Sequence, residues 1–174
     1  MLLPIRGFHP KLGTNCFVAP TATVIGDVEL GEECSILFGA VLRGDVMPIK
    51  IGRQCNIQDN VVVHGTYQSV GTTLSDRVSV GHGAILHGTT IGAETLIGMG
   101  AILMDHSHIG KNCLIAAGSL VPEGMDVPDG HLAIGRPARV KRPLTEEEIG
   151  RLKKSADNYL FYKTWYESAG GTDV

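Results

Sequence analysis

The sequence predicts an all-β solenoid, a three-sided coil of short parallel strands, with one α-helix at its C-terminal end. Three observations support this prediction. Aliphatic residues recur every six positions over most of the chain, the exceptions cluster at one corner of the coil, and a helical pattern begins only after the repeat has ended. Such a repeat determines the fold because each unit buries its apolar residue only against its neighbours.

The six-residue repeat covers roughly residues 12–126. Its period is too long for one face of a helix and too short for a helical repeat unit, so it fits a short strand followed by a corner. Three units then form one turn of the coil, and successive turns stack about 4.8 Å apart. Small or β-branched residues at the fifth position of most units fit a tight interior.

Grouping the units in threes predicts three columns of repeat residues, one for each face of the prism. The first face has Val18, Ile36, Ile57, Val80, Ile97 and Ile115; the second has Val24, Leu42, Val63, Leu86, Leu103 and Val121; the third has Leu12, Leu30, Ile51, Leu74, Ile91 and Ile109. With this grouping, every irregular spacing falls between the second and third faces. We predict that the extra residues, Val46–Lys50 and Gly65–Thr73, form loops at that corner, border a site and do not support the fold.

Glycine often follows the repeat residue, as at Gly31, Gly52 and Gly81. Because glycine adopts positive φ without steric cost, we expect these residues to turn the corners. The chain also has four cysteines, which all fall at the small fifth position of one column: Cys16, Cys34, Cys55 and Cys113. Their spacing does not resemble a zinc motif, so we expect a ladder of buried free thiols.

The end of the chain follows a different pattern, which divides it into a β-helix domain, residues 1–143, and a helical segment, residues 144–174. After Val121 the repeat fades into a loop with short extended pieces. Thr145 and Glu148 then form a capping-box pattern, and an apolar stripe predicts a helix from about Thr145 to Ser168. We expect this helix to pack along the prism and protect its exposed edges.

Composition excludes several classes of partner. The chain has 174 residues and a net charge of −3 with no basic block, so nucleic-acid binding and binding to a membrane surface have no support. No apolar run is long enough to cross a membrane, and the first residues lack the pattern of an export signal. The sequence therefore predicts a cytoplasmic protein.

Three histidines stand out because the repeat places them relative to one another. His64 and His87 each follow a second-face repeat residue on neighbouring turns, so their backbones should stack about 4.8 Å apart. His82 lies on the preceding face, on the order of 15 Å of extended chain from His87. A homotrimer would bring His82 of one subunit to His64 and His87 of the next. Three neutral imidazoles leave the fourth position of a zinc ion open, as catalytic zinc requires.

These residues carry a resemblance that spans nearly the whole chain. His64 together with HGAILH, from His82 to His87, resembles the metal ligands of the γ-class carbonic anhydrases, which are left-handed parallel β-helices of hexapeptide repeats. The segments LRGDVMPIKIG, CNIQDNVVVH and NYLFYKTWY are also similar to segments of that family. Its short bacterial members include accessory proteins of the carnitine operon and of phenylacetate degradation.

The resemblance implies an enzyme, a zinc-dependent lyase that hydrates carbon dioxide reversibly to bicarbonate through metal-bound hydroxide. It identifies His64, His82 and His87 as metal ligands, Gln58 and Tyr159 as catalytic residues, and Arg43, Asp45, Asn56 and Asp59 as substrate-binding or interface residues. In the family, Arg43 and Asp45 pair across subunits. Imidazole also suits Fe(II), Co and Ni, so zinc is not the only metal that the ligand set fits.

The corner segments VMPIK and GTYQSVGTT contain no acidic residue that could carry a proton from the site, so we expect weak catalysis. Two alternatives stay open. One is an acyltransferase or thioesterase that acts on a coenzyme A ester and uses a loop histidine as its base. The other is a non-catalytic metal-binding accessory protein.

Overall fold

A computed structural model describes residues 1–168 and confirms the predicted fold, a left-handed parallel β-helix with one C-terminal α-helix. The last six residues of the predicted helical segment, residues 169–174, lie outside the described residues. The first face is built from β3 (Phe17–Val18), β5 (Ser35–Ile36), β7 (Asn56–Ile57), β10 (Ser79–Val80), β13 (Leu96–Ile97), β16 (Leu114–Ile115) and β19 (His131–Gly135).

The other two faces form one continuous sheet, because two long strands run through the corner between them. These are β4 (Thr23–Leu30) and β6 (Val41–Ile51). The second face continues with β8 (Val62–His64), β11 (Ile85–His87), β14 (Ile102–Leu103) and β17 (Leu120–Val121). The third face has β2 (Lys11–Leu12), β9 (Thr72–Leu74), β12 (Thr90–Ile91), β15 (His108–Ile109) and β18 (Asp126–Val127), while β1 (Leu2–Leu3) pairs with β4.

The strand register confirms the predicted columns. On the first face, Val18 pairs with Ile36, Ile36 with Ile57, and Ile57 with Val80 in parallel ladders. The repeat residues on all three faces fill the interior, and most of them are fully buried. The core is therefore a stack of aliphatic layers with a new layer added by each turn.

The prediction that Val46–Lys50 is a loop is wrong. These residues belong to β6, and Ile49 pairs with Val28 while Lys50 pairs with Glu29 of β4. The side chain of Ile49 is completely buried in the core. The extra residues lengthen the strand through the corner, with a register shift between Gly26 and Val28 that absorbs the difference in length.

The second predicted loop, Gly65–Thr73, is only partly a loop. Residues 65–71 leave the coil and fold back through an antiparallel bridge between Thr66 and Val70. Thr72 and Thr73 already belong to β9, and Thr72 is buried. We call residues 65–71 the corner loop.

The prediction that the repeat glycines turn the corners through positive φ is also wrong. A Cβ at Gly31 or Gly52 would lie 2.6 Å from a backbone or carboxylate atom of the next turn, although neither residue has positive φ. Glycine is needed there because neighbouring turns approach too closely for a side chain. Positive φ occurs instead at other corner residues, such as Glu33 and Gln54.

After Val121 the coil continues for most of another turn, where the sequence predicted a loop. β18 pairs with β15, and β19 pairs with β16 on the first face. The chain then turns back as β20 (Ala138–Pro143), which pairs antiparallel with β19. This hairpin covers the strand edge that the last turn would otherwise expose on the first face, where another strand could pair.

The predicted helix is confirmed as α1, Glu146–Ser168, and it packs along the first face. The Thr145 hydroxyl accepts from the Glu148 amide at 3.2 Å, and the Glu148 carboxylate accepts from the Thr145 amide at 2.8 Å, which completes the capping box. At the other end, the Tyr166 ring stacks on Phe17 with 5.3 Å between centroids. The helix is too polar to cross a membrane, and no helix within residues 1–168 meets the length and apolarity of a membrane span.

All four cysteines are free, as predicted. Cys34, Cys55 and Cys113 are buried, whereas Cys16 is partly exposed near the beginning of the coil. The thiols of Cys34 and Cys55 donate to backbone carbonyls of the next turn, at 3.0 Å to Gly52 and 3.1 Å to Ser75. These contacts give the ladder a structural role.

Candidate metal centre

The structure brings His64 and His87 together at the corner between the second and third faces. The two residues end β8 and β11 and are direct partners in the parallel ladder. Nδ1 of His64 lies 3.3 Å from Nε2 of His87, and the ring centroids are 5.3 Å apart. The predicted stacking of the two backbones is therefore confirmed, and one nitrogen of each ring faces the other as well.

Each of these rings also contacts a carboxylate through its other nitrogen. Nε2 of His64 lies 3.0 Å from Oδ1 of Asp45, and Nδ1 of His87 lies 2.5 Å from Oδ1 of Asp105. Burial alone would raise the pKa of Asp45, but hydrogen bonds from Arg43 and His64 lower it below its usual value. The pKa of Asp105 is lowered in the same way, since hydrogen bonds from Thr66 and His87 outweigh its burial.

An ionised carboxylate can only accept a hydrogen bond, so in the neutral form of each ring the nitrogen beside the carboxylate carries the hydrogen. That nitrogen is Nε2 in His64 and Nδ1 in His87. The nitrogens that face each other therefore both present lone pairs. These lone pairs repel each other, and a cation bound between them would remove the repulsion. Burial lowers the pKa of His64, although the hydrogen bond to Asp45 opposes this effect. The lowered pKa favours the neutral ring that a metal needs.

The spacing also fits a metal. Two ligands at about 2.0–2.1 Å from a tetrahedral zinc ion are roughly 3.3–3.4 Å apart, and the facing nitrogens of His64 and His87 are separated by 3.3 Å. Within residues 1–168 of one chain, however, no three side chains among His, Cys, Asp and Glu are arranged to hold a metal ion.

His82 does not join the other two histidines within the chain. It follows β10 on the first face, and its side chain is 47% exposed. Its Nδ1 contacts Oδ2 of Asp59 at 2.7 Å, so Nε2 is the nitrogen that remains open to a ligand. Asp59 lies one turn below His82 in the same column, as the Gly83 amide bonded to the Asp59 carbonyl at 2.8 Å shows.

Gln58, His82 and Tyr159 line a common groove of about 480 Å³ between the first face and α1. Gln58 is almost fully buried, and its amide nitrogen donates to Oδ1 of Asn56 at 3.0 Å. Asn56 in turn donates to the Ser79 hydroxyl at 2.8 Å. This chain of bonds fixes the orientation of the Gln58 amide at the floor of the groove.

Tyr159 reaches the groove from α1. Burial raises its pKa, and the nearby charge of Asp59 raises it further. The phenol therefore stays protonated at neutral pH and can donate a hydrogen bond. The sequence placed Tyr159 on the helix stripe, and the structure adds that this part of the stripe faces the side of the prism that carries His82.

Arg43 pairs with Asp45 within the chain, where Nη1 lies 2.6 Å from Oδ2. The two residues are two positions apart on β6, and alternate residues of a strand point to the same side. Pairing across subunits, which the resemblance implies, remains a prediction. Arg6, which no sequence motif singled out, donates from Nη1 to the Asp45 carbonyl at 3.0 Å.

Asp105 and Thr66 were not among the residues that the sequence predicted for the site. Leu86 pairs with Leu103, so Asp105 lies on the next turn, one residue beyond the position in register with His87, and the repeat could have placed it near that histidine. Thr66 lies in the corner loop, where the register gives no guidance. His106 and His108 are exposed; His106 lies 3.3 Å from the Ser69 hydroxyl of the corner loop, and His108 lies 3.5 Å from Asp126 on the next turn.

The chain is similar to several known hexapeptide-repeat proteins and carbonic anhydrases. Residues 88–123 match the family model described as bacterial transferase hexapeptide (six repeats). A carbonic anhydrase of Geobacillus kaustophilus is 43% identical over 170 residues, which cover 97% of this chain and 92% of that protein. The mitochondrial gamma carbonic anhydrase 2 of Arabidopsis thaliana is 44% identical over 91% of this chain, and the match covers 59% of the plant protein's length.

Among solved structures, a hexapeptide transferase family protein from Anaplasma phagocytophilum superposes with a TM-score of 0.91 at 43% identity, over 95% of this chain and 98% of that one. Its name states a transferase family, whereas the Geobacillus and Arabidopsis relatives are named for carbonic anhydrase. The identity and coverage of these relatives are high enough to assign the chain to a family, and the stacked histidines are consistent with that assignment. It belongs to the γ-class carbonic anhydrase-like family of hexapeptide-repeat proteins.

Proposed function

We propose that this protein is a metal-dependent carbonic anhydrase, a lyase that converts carbon dioxide and water reversibly to bicarbonate and a proton. One observation carries the proposal. Nδ1 of His64 and Nε2 of His87 present facing lone pairs 3.3 Å apart, a separation that fits two ligands of one tetrahedral ion.

The proposed metal ligands are His64 and His87 of one subunit and His82 of a neighbouring subunit in a homotrimer. His82 is exposed on another face, so a second copy can approach it, and Asp59 leaves its Nε2 open. A zinc ion bound there would act as a Lewis acid that lowers the pKa of water to about 7. Fe(II), Co and Ni suit the same ligands.

The remaining residues bind and orient the reactants. Gln58, held by Asn56, presents a fixed amide that can bind an oxygen of carbon dioxide or bicarbonate. Tyr159 can donate from its protonated phenol into the same groove. Arg43 supplies a positive charge for the bicarbonate anion, since it is 43% exposed while it pairs with Asp45. Asp45 and Asp59 each hold a ligand ring in place.

Each hydration also releases a proton that must leave the site. The exposed residues of the corner loop, Tyr67, Gln68 and Ser69, have no acidic group that could accept it. Asp45 and Asp105 are engaged with histidines and have lowered pKa values, which makes them poor proton carriers near neutral pH. We therefore propose a slow enzyme.

A transferase or thioesterase is the second candidate, because the family model and the Anaplasma protein are both named for transferases. Acyl transfer needs one histidine as a general base. A carboxylate that orients a single imidazole would suit that role, but two stacked histidines with facing lone pairs do not. The third candidate is an accessory protein that binds the metal but does not catalyse the hydration of carbon dioxide.

The test measures zinc content and carbon dioxide hydration for the trimer, with His87→Ala as the critical variant and His108→Ala as its matched control. His108 is an exposed histidine that also lies beside an aspartate, so its loss should leave both quantities unchanged. We expect His87→Ala to abolish both. Fully metallated wild-type protein without hydration activity would favour the accessory role, and protein that binds no metal but hydrolyses coenzyme A esters would favour the second candidate.

A further inference from the structure

The corner loop is tied to both strands that end in histidine. The Thr72 hydroxyl, just after this loop, donates to the His64 carbonyl at 2.6 Å and accepts from the Gly88 amide at 3.0 Å. At the other end of the loop, the Thr66 hydroxyl donates to Oδ2 of Asp105. The extra residues at this corner therefore place hydroxyl groups against the backbone and the carboxylate beside the two rings.

Asp105 uses both carboxylate oxygens in this arrangement. Oδ1 accepts from Nδ1 of His87 at 2.5 Å, while Oδ2 accepts from Thr66. The side chain is only 17% exposed, and it lies one turn of the coil beyond the histidine. A carboxylate held at both oxygens cannot rotate freely, so the direction of its bond to His87 is fixed.

Gly88 makes room for this carboxylate. A Cβ on Gly88 would lie 2.5 Å from Oδ1 of Asp105, which is closer than any non-bonded contact allows. Its φ of +60° also falls in the left-handed region that favours glycine. The residue that follows His87 is therefore matched to the presence of a carboxylate at position 105.

We infer that Asp105, anchored by Thr66 of the corner loop, is a positioning residue that holds His87 in the tautomer and orientation needed to bind a divalent metal ion. This inference rests on the proposed function. An imidazole with its hydrogen on Nε2 cannot bind a metal through that atom, and the carboxylate keeps the hydrogen on Nδ1. The corner insertion thus serves the metal site through Asp105.

The chain contains a matched control. His108 and Asp126 are also a histidine and an aspartate 18 residues apart on neighbouring turns, here as register partners on the third face, but their N–O distance is 3.5 Å and their side chains are 61% and 83% exposed. Replacing either aspartate by asparagine removes the same charge. Only the replacement at position 105 should affect the metal site.

The test compares Asp105→Asn, Asp126→Asn, Thr66→Val and Thr66→Ser as trimers. Zinc affinity is measured by competition with a chelator, and the tautomer of His87 is measured by ¹⁵N NMR in metal-free protein. We expect Asp105→Asn to weaken zinc binding by about 10–100-fold, the range for residues that support metal ligands, and to shift the hydrogen away from Nδ1. Thr66→Val should lose less zinc affinity than Asp105→Asn. Thr66→Ser keeps the hydroxyl and should bind zinc as tightly as the wild type, and so should Asp126→Asn.

The two proposals fail in different ways. If wild-type protein binds zinc and Asp105→Asn binds it equally tightly with the same His87 tautomer, the positioning role is wrong while the metal site stands. If wild-type protein takes up none of zinc, Fe(II), cobalt and nickel, the proposed function is wrong and His87 is no metal ligand. A loss of zinc affinity in Asp105→Asn with an unchanged His87 tautomer would also overturn the inference, because the loss would then come from general destabilisation.

Discussion

His64 and His87 are 23 residues apart in the chain, yet Nδ1 of one faces Nε2 of the other at 3.3 Å. The parallel ladder accounts for their proximity, since the two residues are partners in register on β8 and β11. The orientation of the rings has a separate cause. Asp45 holds Nε2 of His64, and Asp105 holds Nδ1 of His87, so opposite nitrogens of the two rings turn toward the same point.

A shared metal site between subunits can be tested by subunit mixing. His82→Ala trimers and His64→Ala trimers should each lose the metal when they are prepared alone. After unfolding and refolding in equal amounts, about one quarter of the sites in a closed ring should combine intact residues from two neighbours. Zinc content and hydration activity, measured against unmixed samples of each variant, report this recovery. Full metal content in either variant alone would contradict a site shared between subunits.

Slow release of the proton that each hydration produces would make the hydration rate depend on buffer concentration. If release of the proton limits turnover, adding imidazole should raise the rate of carbon dioxide hydration until a later step becomes limiting. The measurement is stopped-flow hydration at constant pH and ionic strength with increasing imidazole. Addition of a non-titrating salt at the same ionic strength is the control. A rate that does not change with imidazole would mean that another step limits the reaction.

Ile49 should contribute to stability although it lies in a segment of extra residues. Its side chain is completely buried between β4 and the core, so Ile49→Ala should lower the free energy of unfolding by about 2–5 kcal/mol. Lys50→Ala, one residue further along β6 and exposed, should have little effect. Denaturant unfolding of the two variants measures the difference. Equal stability of both variants would mean that this part of β6 does not support the fold.

Glu148 should make the stability depend on pH. Hydrogen bonds from Arg142 and then from the Thr145 amide lower its pKa from 4.5 to about 2. The carboxylate therefore contributes stability that is present above pH 4.5 and is lost as the pH falls toward 2. Glu148→Gln should be less stable than wild type at neutral pH, and the difference should shrink through this acidic range.

The matched control for this effect is Glu146→Gln, which removes the same charge from the same helical turn. Thermal unfolding at a series of pH values measures both variants. The difference between wild type and Glu148→Gln should depend on pH more steeply than the difference for Glu146→Gln. Parallel pH profiles for the two variants would show that the Arg142 and Thr145 contacts add nothing to the general effect of charge at the helix terminus.

Much of this protein follows from the sequence because the coil repeats. One buried aliphatic residue per unit sets the position of every strand, and a shift of one residue would turn the apolar column outward. The faces, the stacking of His64 on His87, the separate position of His82 and the helix with its capping box were therefore all predictable. Asp105 was within reach of the same reasoning, since it lies on the turn after His87, one residue beyond the position in register with it.

The rest was decided only by the tertiary structure, at the places where the repeat is broken. An insertion can either leave the coil or extend a strand, and the spacing does not distinguish the two; packing buried Ile49 at one insertion, whereas the other leaves the coil as the corner loop. The repeat also fixes the backbone positions of Asp45 and Asp105 without fixing their side chains. Their hydrogen bonds to the two rings depend on rotamers, and these are set by neighbours on other turns, Thr66 among them.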